Sequence, residues 1–169
     1  MFINIEDLIP KMKDSELKDC LQEISEYSCF VRIEEARIRE ELKDAEKVLK
    51  VMFIGDYGKL LSTFNGGMLF STKIYGVNTD DVDFDLVKTN EYLHESNVIS
   101  NDYYVIAEED YGDYICLKSD GSVKTVYLYG TEEGKMVSSW ENIIEWLMDE
   151  LIAGEELIAN DQLEPYETE

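Results

Sequence analysis

The first third of the chain has the apolar spacing of helices. Apolar residues recur there at three- and four-residue steps, which places them on one helical face. This spacing predicts a helix over residues 14–28 and a longer one over residues 33–53. A short third helix is expected to place Leu60, Leu61 and Phe64 on its inner side.

The tripeptide Asn65-Gly66-Gly67 marks the predicted change from helix to sheet. Asn and Gly tolerate the positive φ angles that the end of a helix needs, so at least one of the two glycines is expected at positive φ. The apolar run 68–70 that follows is typical of a buried strand. We interpret the tripeptide as a structural corner and not as a catalytic site.

Strand patterns prevail from residue 68 to residue 129. Runs rich in β-branched and aromatic residues cover 68–70, 73–77, 103–107, 114–117 and 123–129. Asp120-Gly121 is a strong hairpin signal, and the links between the last three runs are too short for a crossover connection. These three runs are therefore predicted to form an antiparallel sheet.

One helix is predicted to interrupt the strands. Thr79, Asp80 or Asp81 is expected to cap its start, and Ser96-Asn97 to mark its end. The apolar residues expected to face the core from this helix are Val82, Leu86 and Leu93.

The same segment has one feature of a metal site. The spacing of Asp81, Asp83 and Asp85 resembles the start of a calcium loop. However, Leu86 stands where that loop needs glycine, and Tyr92 stands where it needs glutamate. The sequence therefore favours a helix N-terminus over a metal site, and no cofactor is predicted.

The last major helix is predicted to begin at Ser138-Ser139-Trp140-Glu141, which fits a capping box. Gly154 is expected to end it, and residues 155–159 to add one more helical turn. The acidic segment 160–169 contains Pro165 and is expected to fray.

The length of 169 residues and an apolar content of 44% fit one domain with a real core. We predict an N-terminal helical extension over residues 1–32, an α+β domain over residues 33–153 and an acidic C-terminal tail over residues 154–169. The chain also contains 11 tyrosines, which suit half-buried strands and interfaces alike.

The net charge of −23 is unevenly distributed. Residues 1–50 carry 13 acidic and 9 basic residues, whereas residues 51–169 carry 25 acidic and 6 basic residues. Such a surface repels nucleic acid and anionic membranes and attracts a basic protein. Solubility alone is the competing explanation of this charge.

Candidates for chemistry are few. His94 is the only histidine and is expected to be exposed and inert, because no nucleophile or paired carboxylate is placed to use it. The cysteines, Cys20, Cys29 and Cys116, have no metal-ligand spacing, so reduced thiols in a cytoplasmic protein are expected. No secretory signal and no membrane span are expected.

Three stretches, in their order, resemble the SUKH superfamily, which includes bacterial immunity proteins and fungal cell-wall-assembly regulators. The first stretch is Ala45-Glu46 followed by residues 57–67, which include the tyrosine-bearing turn and the Asn-Gly-Gly end. The second runs from Tyr104 through Gly112-Asp113 to the hairpin at 120–123, and the third covers residues 138–147. The match extends over about residues 33–153.

The resemblance implies an α+β, SUKH-like fold: a twisted, largely antiparallel sheet with helices packed against it. Bacterial members of that superfamily typically bind a polymorphic toxin, often a nuclease, and block it without catalysis. The resemblance thus implies a non-catalytic immunity protein for a basic, nuclease-type toxin. A regulatory or phage-borne interaction module of the same fold, with another protein partner, is the alternative.

Two acidic groups are the predicted partner-binding residues, because both flank turns or helix ends where side chains are exposed. Tyr103, Tyr111 and Tyr114 are nearby aromatic candidates for the buried centre of such an interface. The predicted binding residues are Asp80, Asp81, Asp83, Asp85, Glu108, Glu109, Asp110, Tyr111 and Asp113.

Overall fold

The computed structural model describes residues 26–30, 35–52, 57, 61, 65–77, 79, 81–118 and 125–166. Its longer helices in these ranges are α1 (Glu35–Leu49), α2 (Leu86–Glu95) and α3 (Ile143–Ala159). Its strands are β1 (Cys29–Phe30), β2 (Gly67–Leu69), β3 (Thr72–Ile74), β4 (Tyr103–Glu108), β5 (Tyr114–Lys118), β6 (Val126–Gly130) and β7 (Lys135–Trp140).

The described strands form one seven-stranded sheet in the order β1-β2-β3-β4-β5-β6-β7. Each strand pairs in antiparallel fashion with the next one along the chain. The three runs predicted to share an antiparallel sheet are β4, β5 and β6, although β6 begins at Val126 and the predicted hairpin turn Asp120-Gly121 lies outside the described residues. The predicted α+β class with a largely antiparallel sheet is confirmed.

The inner face of the sheet carries the core. Ile74, Ala107 and Ile115 lie opposite one another on β3, β4 and β5 and have no exposed surface. Helix α3 packs on this side, since its Glu150 accepts a hydrogen bond of 2.5 Å from Thr72, which points the same way as Ile74. Trp146, Leu147 and Leu151 of α3 and Ile38, Leu42 and Ala45 of α1 join the same buried cluster.

Gly154 does not end α3, as the sequence predicted, but lies inside it. A Cβ atom at this position would lie 2.6 Å from Cγ and Cε2 of Phe70. The glycine therefore lets the helix approach the Phe70 ring closely. A glycine in a helical pattern resembles a terminator in the sequence because its packing partner, Phe70, is distant along the chain.

The predicted capping box at Ser138 is wrong, because Ser138 belongs to strand β7. The N-cap of α3 is Asn142, whose side chain accepts a 3.0 Å hydrogen bond from the Glu145 amide. The Glu145 carboxylate in turn accepts a 3.1 Å bond from the amide of Glu141. The same capping chemistry is therefore present four residues later than predicted. The residues predicted to start the helix belong instead to the edge strand β7.

Asn65 ties the glycine corner to the chain after β3. It is buried, and its side chain makes two 2.8 Å bonds, donating to the Val77 carbonyl and accepting from the Val77 amide. Gly66 has a φ of 75° and Gly67 a φ of 148°, so the expected positive φ is confirmed. Leu61 is fully buried as predicted, whereas Leu60 and Phe64 lie outside the described residues.

Asn90 has the same role between α2 and β4. Its Nδ2 donates to the carbonyls of Leu86 and Val105 at 2.8 Å each, and its Oδ1 accepts from the Val105 amide at 2.6 Å. The pairing of β4 with β5 shifts register just after Val105. A fully buried amide side chain thus supplies bonds that a neighbouring strand would otherwise make.

Helix α2 corrects three details of the sequence analysis. Its N-cap is Asp85, beyond the residues proposed as caps. Val82 is 57% exposed, whereas Leu86 and Leu93 are buried as expected. His94 is half-buried, not exposed, and its Nε2 donates to the Tyr103 carbonyl at 2.7 Å, which gives it a structural role.

The C-terminal segment is held in place as far as Tyr166. The Tyr166 amide donates to the Glu26 carbonyl at 2.9 Å, so this part of the predicted fraying tail lies beside β1.

Helix α1 ends at Leu49, before the predicted Phe53, with Lys50 at a φ of 56°. The predicted helix 14–28 lies almost wholly outside the described residues, and none of the described helices could span a membrane.

Candidate protein-binding surface

The outer face of the sheet is lined with half-buried tyrosines. Residues directly opposite each other on antiparallel strands point to the same side. The register therefore creates one row across six strands, made of Met68, Lys73, Glu108, Tyr114, Tyr129 and Met136. A second row contains Val105, Cys116, Tyr127 and Ser139, and Tyr103 points the same way two residues before Val105. We call Tyr103, Tyr114, Tyr127 and Tyr129 the tyrosine face.

The tyrosine face is in part ordered by its own rings. The rings of Tyr103 and Tyr127 meet edge to face, with centroids 5.4 Å apart and an interplanar angle of 76°. Within the described ranges the hydroxyls of Tyr114, Tyr127 and Tyr129 form no hydrogen bond with the protein. Large rings are therefore held in place while their polar ends remain available.

A cation and a carboxylate lie at one end of this face. Lys73 and Glu108 are direct partners on β3 and β4. The Lys73 ammonium lies 5.8 Å from the ring centroid of Tyr75 and 5.5 Å from that of Phe84. The Tyr75 hydroxyl donates to Glu108 at 2.5 Å, and burial followed by this bond raises the pKa of Tyr75.

The first predicted acidic group adjoins this end of the face. Gly76 bonds to the segment after Asp83, donating to the Phe84 carbonyl at 2.8 Å and accepting from Leu86 at 2.9 Å. Burial and then Glu108 are the main causes of the raised pKa of Tyr75, and the charge of Asp83 adds a smaller contribution. The fold therefore brings the two predicted groups, which are separated in sequence, close together around Tyr75.

Two acids of the first group cap helical turns. Asp81 accepts from the Asp83 amide at 2.9 Å, and Asp85 accepts from the Lys88 amide at 2.8 Å. Asp83 is exposed and forms no ion pair with a described residue, whereas Asp80 lies outside the described residues. Within the described part of this group, Asp83 is therefore the exposed acid whose carboxylate caps no helical turn.

The second group forms the turn between β4 and β5. The Glu109 amide donates to the Asp113 carbonyl at 2.8 Å, and Asp113 accepts a 2.8 Å bond from the Thr131 amide. Asp110 and Tyr111 project from the turn, and Tyr111 is 93% exposed. The turn thus presents one carboxylate and one ring on a hydrogen-bonded frame.

Glu109 is a half-buried carboxyl at the base of that turn. Burial, reinforced by the charges of Glu150 and Asp113, raises its pKa to about 7. Burial also raises the pKa of Glu150, against the opposing effect of its bonds from Thr72 and Trp146. Glu109 is therefore partly protonated near neutral pH and is a weaker source of negative charge than its exposed neighbours.

Metal-ligating clusters and reactive thiols are features to look for among the described residues. These residues contain no group of three or more potential metal-ligating side chains. Burial raises the pKa of Cys116, which keeps this thiol in its unreactive neutral form. Tyr103, Tyr111 and Tyr114 are the aromatic candidates named from the sequence. Tyr127 and Tyr129 are not among them, although the alternation of these two along β6 places them on one side.

The fold and this surface define an α+β domain with a helix-covered inner face and a tyrosine-lined outer face. The SUKH_5 family model, described as SMI1-KNR4 cell-wall, matches residues 5–152. The chain therefore belongs to this SUKH family. The match begins well before residue 33, where the recognisable resemblance starts in the sequence. A comparison with curated proteins found no match.

Solved structures agree with the fold. A crystal structure of a protein from Pseudomonas syringae pv. tomato is similar with a TM-score of 0.58 and 17% sequence identity. The similarity covers 78% of this chain and 96% of that protein. At this identity the similarity shows the shared fold alone.

Proposed function

We propose that this chain is a non-catalytic protein-binding module, an immunity protein that neutralises a basic, nuclease-type toxin in the cytoplasm of the producing cell. The observation that carries this proposal is the position of exposed carboxylates, Asp83 and Asp110, at the end of a tyrosine-lined sheet face. SUKH family membership supports the proposal, and Cys29 and Cys116 are free thiols, which suits a reducing compartment.

The excess of acidic residues indicates that the partner is basic. Residues 51–169 hold 25 acidic and 6 basic residues, and nucleases that grip phosphate carry positive surfaces. Complementary charge steers the encounter of two proteins and is screened over about 10 Å at 0.1 M salt. Association is therefore expected to be fast at low salt and to slow as salt rises.

The test uses a purified, catalytically inactivated basic nuclease encoded beside the gene, with association measured by biolayer interferometry at two salt concentrations. Asp83→Lys combined with Asp110→Lys is expected to slow association about tenfold or more at low salt. The matched control, Glu40→Lys combined with Glu155→Lys, makes the same charge change on exposed positions of α1 and α3. We expect this control to have a smaller effect.

Inhibition of the active nuclease completes the test. Neutralisation requires that the wild-type protein abolish cleavage at a stoichiometric ratio. Binding of another protein in its place, with the nuclease unaffected, would favour the regulatory alternative. An association rate that is independent of salt would contradict the role given to charge.

A further inference from the structure

We infer that the tyrosine face is the centre of the partner interface and that it receives arginine side chains of the basic partner. This inference rests on the proposed function and adds the contact surface and the partner chemistry to it. The acidic groups alone do not define a contact surface, because Asp81, Asp85 and Asp113 are engaged in hydrogen bonds within the protein.

The composition of the outer face is unusual for a solvated sheet face. An antiparallel sheet with one wet side normally alternates apolar residues inward with polar residues outward. Here the inward positions are buried, apart from the half-buried Leu128. The outward positions hold buried Val105 and Cys116 together with four half-buried tyrosines. Tyrosine offers a large contact area at a low cost in conformational entropy and is enriched at interface centres.

The neighbouring residues extend this surface without closing it. Met68 and Met136 continue the row of Tyr114 and Tyr129 and are half-buried. Burial, then Glu108 and then the nearby Tyr92 of α2 raise the pKa of Tyr114. Tyr92, which is 68% exposed, therefore lies near the same surface. The aromatic area thus spans strands β4–β6 and reaches α2.

Lys73 shows that a cation is accommodated against aromatic rings at one end of this surface, those of Tyr75 and Phe84. It is a cation whose ammonium lies within 6 Å of two ring centroids and directly opposite Glu108. Arginine suits such a site better than lysine does, because its planar guanidinium stacks on aromatic rings and is less strongly hydrated. The free hydroxyls of Tyr127 and Tyr129 add acceptors for guanidinium donors.

The surface therefore combines aromatic area, available acceptors and a negative edge at Asp83 and Asp110. Of the possible occupants, a basic protein is the one whose charge complements this edge. A second copy of this chain would bring a like charge of −23 to the same surface.

The inference is tested without a known partner by titrating the protein with nona-arginine and with nona-lysine. Selective ¹³C labelling of tyrosine rings reports which tyrosines respond by NMR. Signals of Tyr114, Tyr127 and Tyr129 are expected to shift with nona-arginine, and its affinity is expected to exceed that of nona-lysine about 5- to 30-fold. Equal affinity for both peptides, or shifts confined to other tyrosines, would overturn the inference.

A double variant, Tyr127→Thr with Tyr129→Thr, keeps β-forming residues at both positions and is expected to remove the preference for arginine. The matched control is Val48→Ser with Ile152→Ser, which removes exposed apolar side chains from α1 and α3. Circular dichroism and thermal unfolding verify that both variants are folded. If the tyrosine variant fails to fold, the ring shifts in the wild-type protein still decide the question.

The same variants separate this inference from the proposed function. With the nuclease partner, the tyrosine variant is expected to dissociate at least tenfold faster with little change in association rate, since charge steering is retained. Tight binding and full neutralisation by the tyrosine variant would overturn the tyrosine face while leaving the proposed function intact. Absence of any nuclease binding by the wild-type protein would instead overturn the proposed function.

Discussion

The backbone of Gly154 in α3 lies against the ring of Phe70, the residue that follows β2. Phe70 has a φ of 53°, which is unusual for a bulky side chain, and its amide donates to Ser28 Oγ at 2.9 Å. The ring is 3% exposed, so its burial beneath α3 offsets the cost of this backbone conformation. The helix, the turn and the segment before β1 are therefore fixed together at one point.

Gly154→Ala is expected to lower the free energy of unfolding by about 1–3 kcal/mol, because the new methyl group meets the Phe70 ring. In a Phe70→Ala background the same change is expected to be neutral or to stabilise by up to about 1 kcal/mol, since alanine is the better helix former. Urea unfolding of the four proteins measures this reversal. Equal effects in both backgrounds would show that the ring is not the obstacle.

Asn90→Ala is expected to destabilise the protein by about 3 kcal/mol or more, because the buried Val105 amide loses its acceptor. The matched control, Asn101→Ala, removes an exposed amide in the next turn and is expected to change stability by less than about 0.5 kcal/mol. Thermal or urea unfolding measures both. Similar losses in the two variants would argue against the bridging role of Asn90.

Gly66→Ala is expected to cost more than Gly112→Ala, although both glycines have positive φ angles of 75° and 79°. A Cβ atom at Gly66 would lie 2.7 Å from Thr79 Cγ2, whereas none of the described atoms lies within 4 Å of one at Gly112. Both substitutions share a backbone cost of about 1 kcal/mol, because alanine disfavours a positive φ. The additional loss of stability in Gly66→Ala therefore measures the steric clash with Thr79. Unchanged stability with loss of partner binding would instead make the Asn-Gly-Gly corner a functional site.

Glu109 is expected to make stability depend on pH. Its folded-state pKa of about 7 lies above the unfolded value of about 4.3. Between these two pH values the folded state binds more protons than the unfolded state. The contribution of Glu109 to the free energy of unfolding is therefore fully present below about pH 4.3 and is lost as the pH rises through 7.

Glu109→Gln is accordingly expected to raise the free energy of unfolding at pH 8 by about 1 kcal/mol, a value below the full shift because the carboxyl is half-exposed. Little change is expected at pH 4. Asp110→Asn removes an exposed carboxyl one residue away and serves as the control in urea unfolding at both pH values. A gain that is equal at the two pH values would contradict this account.

Local patterns predicted much of the fold. Strands β4 and β5 were located from their β-rich runs, and the short links required antiparallel pairing, which β4, β5 and β6 confirm. The errors arose where distant partners decide the structure. Gly154 resembles a helix terminator until Phe70 is placed beneath it, and the serines of β7 resemble helix caps until β6 pairs with them.

The candidate surface was only partly predictable for the same reason. The sequence shows that Asp83 and Asp110 are acidic and flank expected turns, but not that their two segments lie near the same tyrosine. The alternation of Tyr127 and Tyr129 was visible, whereas their alignment with Tyr114 depends on the register of β5 and β6. Cross-strand register, and not composition, assembles the tyrosine face.

The unbroken order of the sheet has a consequence for the way the chain folds. Pairs within strands β4–β7 join residues at most 15 positions apart, so this part of the sheet can grow by successive local steps. The pairs between β1 and β2 join residues 37 and 39 positions apart, across α1 and the glycine corner. Only two residues of β1 pair with β2. Amides in β4 and β5 are therefore expected to exchange with deuterium at the rate of global unfolding, and those of Cys29 and Phe30 to exchange earlier through local opening.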